Sequence, residues 1–153
     1  MTIGHGNRVV VHRRACSLMT MAHSLQIPPN CDLTLGLHCV DKSTPGVSTW
    51  EMVADERFEN PAGIMQGGFI SAFVDSAMGA SAVTFAEGRS VFVANTELSI
   101  RFLSPARSGQ RLRCVAEVVK GGSTVAFLEA TVTDQDNNVV AKTSSTYIYR
   151  DRK

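Results

Sequence analysis

From residue 60 to residue 85 the chain reads NPAGIMQGGFISAFVDSAMGASAVTF, and its hydrophobic positions recur with helical spacing. On a helical wheel Phe69, Ile70, Phe73, Val74, Ala77, Met78 and Phe85 fill a broad apolar arc. Ser71, Ala72, Asp75, Ser76, Gly79 and Ala82 fill the opposite one. The pattern predicts a long helix buried nearly all round, with its large side chains against a sheet. Its other face is small enough for a second backbone or a thin ligand to come close. One carboxylate, Asp75, stands in the middle, and an acid on a buried helix is costly unless something stabilises it.

Elsewhere the period is two. Phe92, Ala94, Thr96, Leu98, Ile100 and Phe102 alternate with Val93, Asn95, Glu97, Ser99 and Arg101, one face apolar and the other polar. Ser104-Pro105 and Ser108-Gly109 turn the chain into a strand over residues 112–120. Gly121-Gly122 marks a tight hairpin before 125–132, and Asp136-Asn137-Asn138 another before 139–149. Ahead of the helix, residues 33–40 and 47–54 read as two strands joined through Thr44-Pro45-Gly46. Tight turns require antiparallel neighbours. The expected fold is therefore α+β: a curved antiparallel sheet of five to six strands wrapped around one long central helix.

Composition narrows the setting. A chain of 153 residues, 44% hydrophobic and 19% charged, is expected to form one ordinary globular domain. A formal net charge of +1 gives no reason to expect nucleic acid or an anionic membrane as partner. No apolar run reaches 18 residues, so no membrane span is expected. Cys16, Cys31, Cys39 and Cys114 form no CxxC pair, and His5, His12, His23 and His38 all precede position 40. Free thiols in a reducing compartment and no metal site are the expectation. Residues 1–31 carry Arg8, Arg13 and Arg14 but no acid, and Pro28-Pro29-Asn30 separates them from the body of the chain. They read as a flexible tail before a domain over 32–153 of a cytoplasmic protein. An organelle transit segment is the competing reading of that acid-free lead.

The candidate chemistry lies where the helix begins. Gly67 and Gly68 fall at its first turn, where backbone N–H groups lack intrahelical partners and the helix dipole adds positive potential. Glycine lets a carbonyl oxygen approach them closely. With Asn60 as a positioning amide and Asp75 as an acid two turns on, these make a minimal kit for transferring an acyl group to water. The same residues also fit a plain turn and a polar spot on a helix, and spacing alone does not separate the two. No G-x-S-x-G elbow and no complete phosphate- or dinucleotide-binding loop occurs.

The run from Asn60 to Asp75, NPAGIMQGGFISAFVD, resembles the signature of the PaaI-like acyl-CoA thioesterases of the hotdog fold. That family shows an Asn, then His-Gly-Gly, then an acid nine residues after the His. A second run, TELSIRFLSPA from Thr96 to Ala106, is similar to the family's next strand and its Pro-containing exit. The resemblance covers roughly residues 33–149. It implies hydrolysis of an acyl-CoA to free acid and coenzyme A, with Asp75 as general base or nucleophile. The Gly67 N–H would polarise the thioester carbonyl, and Asn60 would position water or substrate. It implies no cofactor, coenzyme A being part of the substrate, and a site at the interface of a homodimer or tetramer. Gln66 departs from the pattern by standing where the family has His. A glutamine that braces the turn could replace it, whereas one asked to carry protons could not.

Gly68, Asn95, Ser123 and Thr124 join Gln66 as candidate substrate-binding residues. Asn95 falls where relatives hold water with a small hydroxyl residue. Ser123 and Thr124 follow the Gly-Gly turn where relatives contact coenzyme A phosphates, with Lys120 and Arg101 as nearby charge. A solvated hairpin tip is the plain alternative for these. Two further functions stay open: a non-catalytic acyl-CoA-binding or structural hotdog module, and an acyl-thioester hydratase or dehydratase. Hydratases usually pair a His with an acid, and this chain has no His at the helix.

Overall fold

In the computed structural model, which describes residues 26–152, the order is α1 (Asn30–Leu35), β1 (His38–Asp41), β2 (Val47–Val53) and a 3-10 turn (Glu56–Phe58). The long helix α2 (Gly67–Phe85) comes next, then β3 (Val91–Phe102), β4 (Arg111–Gly121), β5 (Val125–Thr133) and β6 (Val139–Asp151). The six strands form one antiparallel sheet in the order β1-β2-β4-β5-β6-β3. This is the hotdog architecture, with the sheet curved about α2. Most of the tail expected over 1–31 lies outside the described residues, as do Cys16, His5, His12 and His23.

Residues 33–40 do not form the single strand that the pattern suggests. Residues 30–35 wind into α1, and only His38–Asp41 pairs with β2. Gly36 takes a left-handed φ of 67° and donates to the Leu33 carbonyl at 3.2 Å, while Leu37 N–H closes on the Asp32 carbonyl at 2.9 Å. That is a helix C-terminal cap, and glycine supplies it without steric cost. So short a helix needs tertiary support. Buried Leu35 provides some, and the Ser76 hydroxyl of α2 donates to the buried Asp32 carboxylate at 2.7 Å.

α2 lies across the concave face and touches β2 through β6. Ile70, Phe73, Val74, Ala77, Met78 and Ala82 bury against Met52, Leu112, Cys114, Leu128 and Val132. Alanines at 116, 126, 130 and 141 on the sheet's inner face let the helix approach closely. At 19 residues α2 meets the length and composition of a membrane span, but here it is the core helix of the domain.

In the single chain α2 is less covered than the expected burial nearly all round. A sheet covers one side of a helix only, and Gly68, Ala72, Asp75 and Val83 on the far side are largely uncovered. Phe85, assigned by pattern to the apolar arc, is partly exposed at the helix end, its ring against Gly46 and Gly121. A Cβ at Gly121 would come to 2.5 Å from that ring, so any other residue there would have to displace it.

Buried hydroxyls fasten helix to sheet. Ser48 Oγ donates to the Ala77 carbonyl at 2.8 Å and accepts from Trp50 Nε1 at 3.2 Å. Ser81 Oγ lies 3.0 Å from Ser48 Oγ, 3.0 Å from the Ala116 carbonyl and 3.2 Å from that of Ala77. The described cysteines are free, and burial pushes the Cys114 thiol up to about 12. Ser81→Ala removes the shared hydroxyl from a fully buried cluster, which is expected to destabilise by about 1–3 kcal/mol. For a domain of this size that lowers Tm by roughly 2–12 °C, a shift that differential scanning calorimetry resolves.

Candidate active site

The loop into α2 is pinned at several points. Asn60 Oδ1 accepts the Ala62 N–H at 2.9 Å, the Asn60 carbonyl accepts Gly63 N–H at 2.9 Å, and Asn60 N–H donates to the Ile64 carbonyl at 2.8 Å. Met65 N–H reaches the Ala106 carbonyl and Gln66 N–H that of Phe58, both at 2.8 Å. The turn thus presents Gly67 and Gly68 in a fixed orientation. Among the described residues neither glycine N–H has an acceptor. The Phe102 ring lies over Gly67, where a Cβ would meet Cζ at 2.6 Å, whereas nothing lies within 4 Å of one at Gly68. Two donors at a helix N-terminus are therefore open from the Gly68 side and walled by an aromatic ring on the other.

Gln66 is the N-cap residue of α2, exposed, and makes no side-chain capping bond. Within one chain it does not brace the turn. The backbone bonds of Met65 and Gln66 do that instead.

Asp75 projects from the open side of α2, yet the sheet reaches around to hold it. Asn95 Nδ2 donates to Asp75 Oδ1 at 2.6 Å, and the Tyr147 hydroxyl donates to the same oxygen at 2.5 Å. That hydroxyl also lies 3.0 Å from the Asp75 carbonyl. Burial above all, and then the hydrogen bond to the Asp75 carboxylate, raise the Tyr147 pKa well above the usual phenol range. At neutral pH the phenol is thus a donor.

Asn95 can do this because β3 does not alternate strictly. The register of β3 against β6 shifts between Asn95 and Glu97, a β-bulge at Thr96. Before it, Val91, Val93 and Asn95 face the helix; after it, Leu98, Ile100 and Phe102 do. Unbroken alternation would place Asn95 on the polar outer face with Glu97 and Arg101. The bulge moves it across, as bulges beside functional sites often do. The signal is present in the sequence as two apolar pairs, Val91/Val93 and Leu98/Ile100, that are out of phase. Ser145 completes the cluster: its hydroxyl donates to the Glu97 carbonyl at 2.6 Å and lies 2.9 Å from Asn95 Oδ1. Tyr147 and Ser145 lie outside the motifs that the sequence singles out, although alternation along β6 puts both polar groups on its helix-facing side.

The remaining candidates are apart. Gly67 and Asp75 are separated by eight residues of helix, about 12 Å along its axis. Ser123 and Thr124 sit exposed at the β4–β5 tip, beside the Phe85 end of α2 through Gly121. Lys120 is exposed on the same hairpin, and Arg101 pairs across strands with Lys142 on the outer face. One chain therefore assembles Asp75 with Asn95, and Asn60 with Gln66, Gly67 and Gly68. It does not bring those groups or the hairpin tip together.

Comparison with known proteins agrees with this architecture. The family model described as the thioesterase superfamily matches residues 62–141. Human acyl-coenzyme A thioesterase 13 is 27% identical over 119 residues, covering 78% of this chain and 84% of that protein. Among solved structures, a thioesterase family protein from Silicibacter pomeroyi superposes with a TM-score of 0.74 at 28% identity, covering 82% of this chain and 92% of the other. The Escherichia coli PaaI protein of the phenylacetic acid degradation operon does so with a TM-score of 0.75 at 18% identity, covering 80% and 85%.

An exposed Gln66 without a capping bond makes a clear forecast. Gln66→Ala is expected to move stability by no more than about 0.5 kcal/mol, as for other free surface positions. Gln66→His is expected to leave turnover within a few-fold, with no new ionisation near the ordinary histidine pKa of about 6.5. A pH–rate profile of both variants checks this. A hundredfold gain from the histidine, with a new titration, would show that the turn needs a proton carrier.

Proposed function

The chain belongs to the thioesterase superfamily and is a thioester hydrolase, and on that premise we propose that it hydrolyses acyl-CoA at a site shared between two copies of itself. The observation that carries the proposal is the setting of Asp75, a carboxylate exposed to solvent on a helix yet held from the sheet by Asn95 and Tyr147. A carboxylate so held is prepared for chemistry on something arriving from outside. The name of the human relative supports acyl-CoA as that something.

Two copies are needed because of distance. The Gly67 donors and the Asp75 of one helix cannot meet at one carbonyl carbon across about 12 Å. β3 is an edge strand of 12 residues whose outer side has no partner among the described residues. Long unprotected edges invite pairing with another chain. A two-fold axis normal to the sheet would pair β3 with its copy antiparallel and run the two α2 helices antiparallel. The open stripe of Gly68, Ala72, Asp75 and Gly79 is narrow enough for that approach. Gly67 of one copy then faces Asp75 of the other.

In the reaction, the Gly67 N–H and the helix dipole polarise the thioester carbonyl. Asn60, whose Oδ1 is engaged in its own loop, offers its NH2 to the substrate. Asp75 takes a proton from water as the oxygen attacks the carbonyl carbon, or attacks that carbon itself and is released by water. The C–S bond breaks, and the coenzyme A thiolate leaves and is protonated. Gln66 and Gly68 line the approach. Ser123 and Thr124 at the hairpin tip are the contacts proposed for the coenzyme A phosphates.

Thiol release from a panel of aromatic, medium-chain and long-chain acyl-CoAs tests the activity and finds the acyl class. Asp75→Asn is nearly isosteric and should keep the circular dichroism spectrum while lowering turnover by about 10²–10⁴-fold. Wild-type turnover in that variant would remove Asp75 from the chemistry. In sedimentation at micromolar concentration the protein should run as a dimer or larger, and a fully active monomer would rule out the shared site.

A further inference from the structure

The geometry points to Tyr147 as a positioning residue that, together with Asn95, decides which oxygen of Asp75 reacts: Oδ1 is held and Oδ2 works. The inference rests on the thioesterase reading above and deepens it. Both donors converge on Oδ1, at 2.6 Å from Asn95 and 2.5 Å from Tyr147. Among the described residues nothing donates to Oδ2. An oxygen that accepts two hydrogen bonds has its lone pairs occupied and its charge partly neutralised. The basic or nucleophilic lone pair that remains is on the other oxygen, on the exposed side of α2.

Neither donor can easily let go. The Asn95 amide is held against flipping, because its own Oδ1 accepts the Glu97 N–H at 3.0 Å, and a flip would turn its NH2 towards that donor and its oxygen towards the Asp75 carboxylate. That bond orients Nδ2 towards Asp75. Tyr147 is only 3% exposed, in the middle of β6, with its ring lying over the turn of α2 from Asp75 to Gly79. It has one proton to give, and a carboxylate is a stronger acceptor than the Asp75 carbonyl beside it. An aspartate on an open helix face otherwise samples several rotamers, and only a few present an oxygen to substrate. Fixing Oδ1 to the sheet removes that freedom before substrate arrives.

The competing account is that Tyr147 only struts α2 against the sheet through the Asp75 carbonyl. Kinetics separate the two. Tyr147→Phe keeps the ring and loses the donor, and is compared with wild type, Asp75→Asn and the double variant on the best acyl-CoA of the panel. Positioning predicts that Tyr147→Phe lowers kcat by about tenfold, with KM within twofold, because the donor aligns the reacting group rather than binding substrate. It also predicts less than a twofold further loss on adding Tyr147→Phe to Asp75→Asn, since a residue acting through Asp75 has nothing left to act on. Wild-type kcat in Tyr147→Phe, or losses that multiply in the double variant, would overturn the inference. If Tyr147→Phe does not fold, Asn95→Ala removes the other donor to the same oxygen and carries the same cycle. Full activity in Asp75→Asn would bring down the thioesterase site and this inference together. An inert Tyr147→Phe substitution, with kcat unchanged beside a dead Asp75→Asn, would bring down this inference alone.

Discussion

A single curved sheet can cover a helix from one side only, and that one-sidedness organises the molecule. It sets Ile70, Phe73, Val74, Ala77 and Met78 into the core and leaves Gly68, Ala72 and Asp75 uncovered. Groups from the sheet that touch Asp75 must therefore reach it around the flank of the helix. Tyr147 is long enough to do so from β6, and Asn95 does so from the edge strand. The hydroxyl cluster of Ser48 and Ser81 fastens the other flank, towards β2 and β4. A helix tied on both flanks cannot roll, so the direction in which Asp75 points is a property of the whole sheet.

The edge strand carries a second consequence of the same geometry. β3 must offer apolar residues to the core at both of its ends and an amide to Asp75 between them. A strict alternation cannot do both, and the extra residue at Thr96 reconciles them by changing phase. Such an insertion is tolerated at an edge, where only one neighbour has to follow it. The other side of the same strand is left free to pair, which is where the proposed second copy adds its own β3.

The two ends of α2 are built for different purposes. At the Phe85 end, Gly46 and Gly121 admit the ring and close the end of the core. At the Gly67 end the Phe102 ring, 49% exposed, covers one side of the turn while Gly68 stays clear. Unused N–H donors beside a half-exposed aromatic wall suit an acyl thioester carbonyl, and the helix carries no histidine of the kind an acyl-thioester hydratase would call for.

Periodicity in the sequence determined the long helix and the four strands after it, and the turn residues their tight antiparallel connections, whereas the motif around Gly67 and Asp75 was legible only as a resemblance to a known family. The elements come from local geometry, because the 3.6- and 2-residue periods are printed directly into the order of apolar residues. The short α1 was hidden, since its six residues are held by a glycine cap and by Ser76 more than by their own propensity. The exposure of Asp75 was hidden as well, because a helical wheel shows which residues are apolar and not how much of the circumference a sheet can cover. Tyr147 lies 72 residues from Asp75 along the chain, and Asn95 reaches it only through a shift of register. Register and the position of a bulge are settled by all the strands packing at once on one helix. Which side chains meet at the carboxylate was therefore decided by the tertiary structure alone.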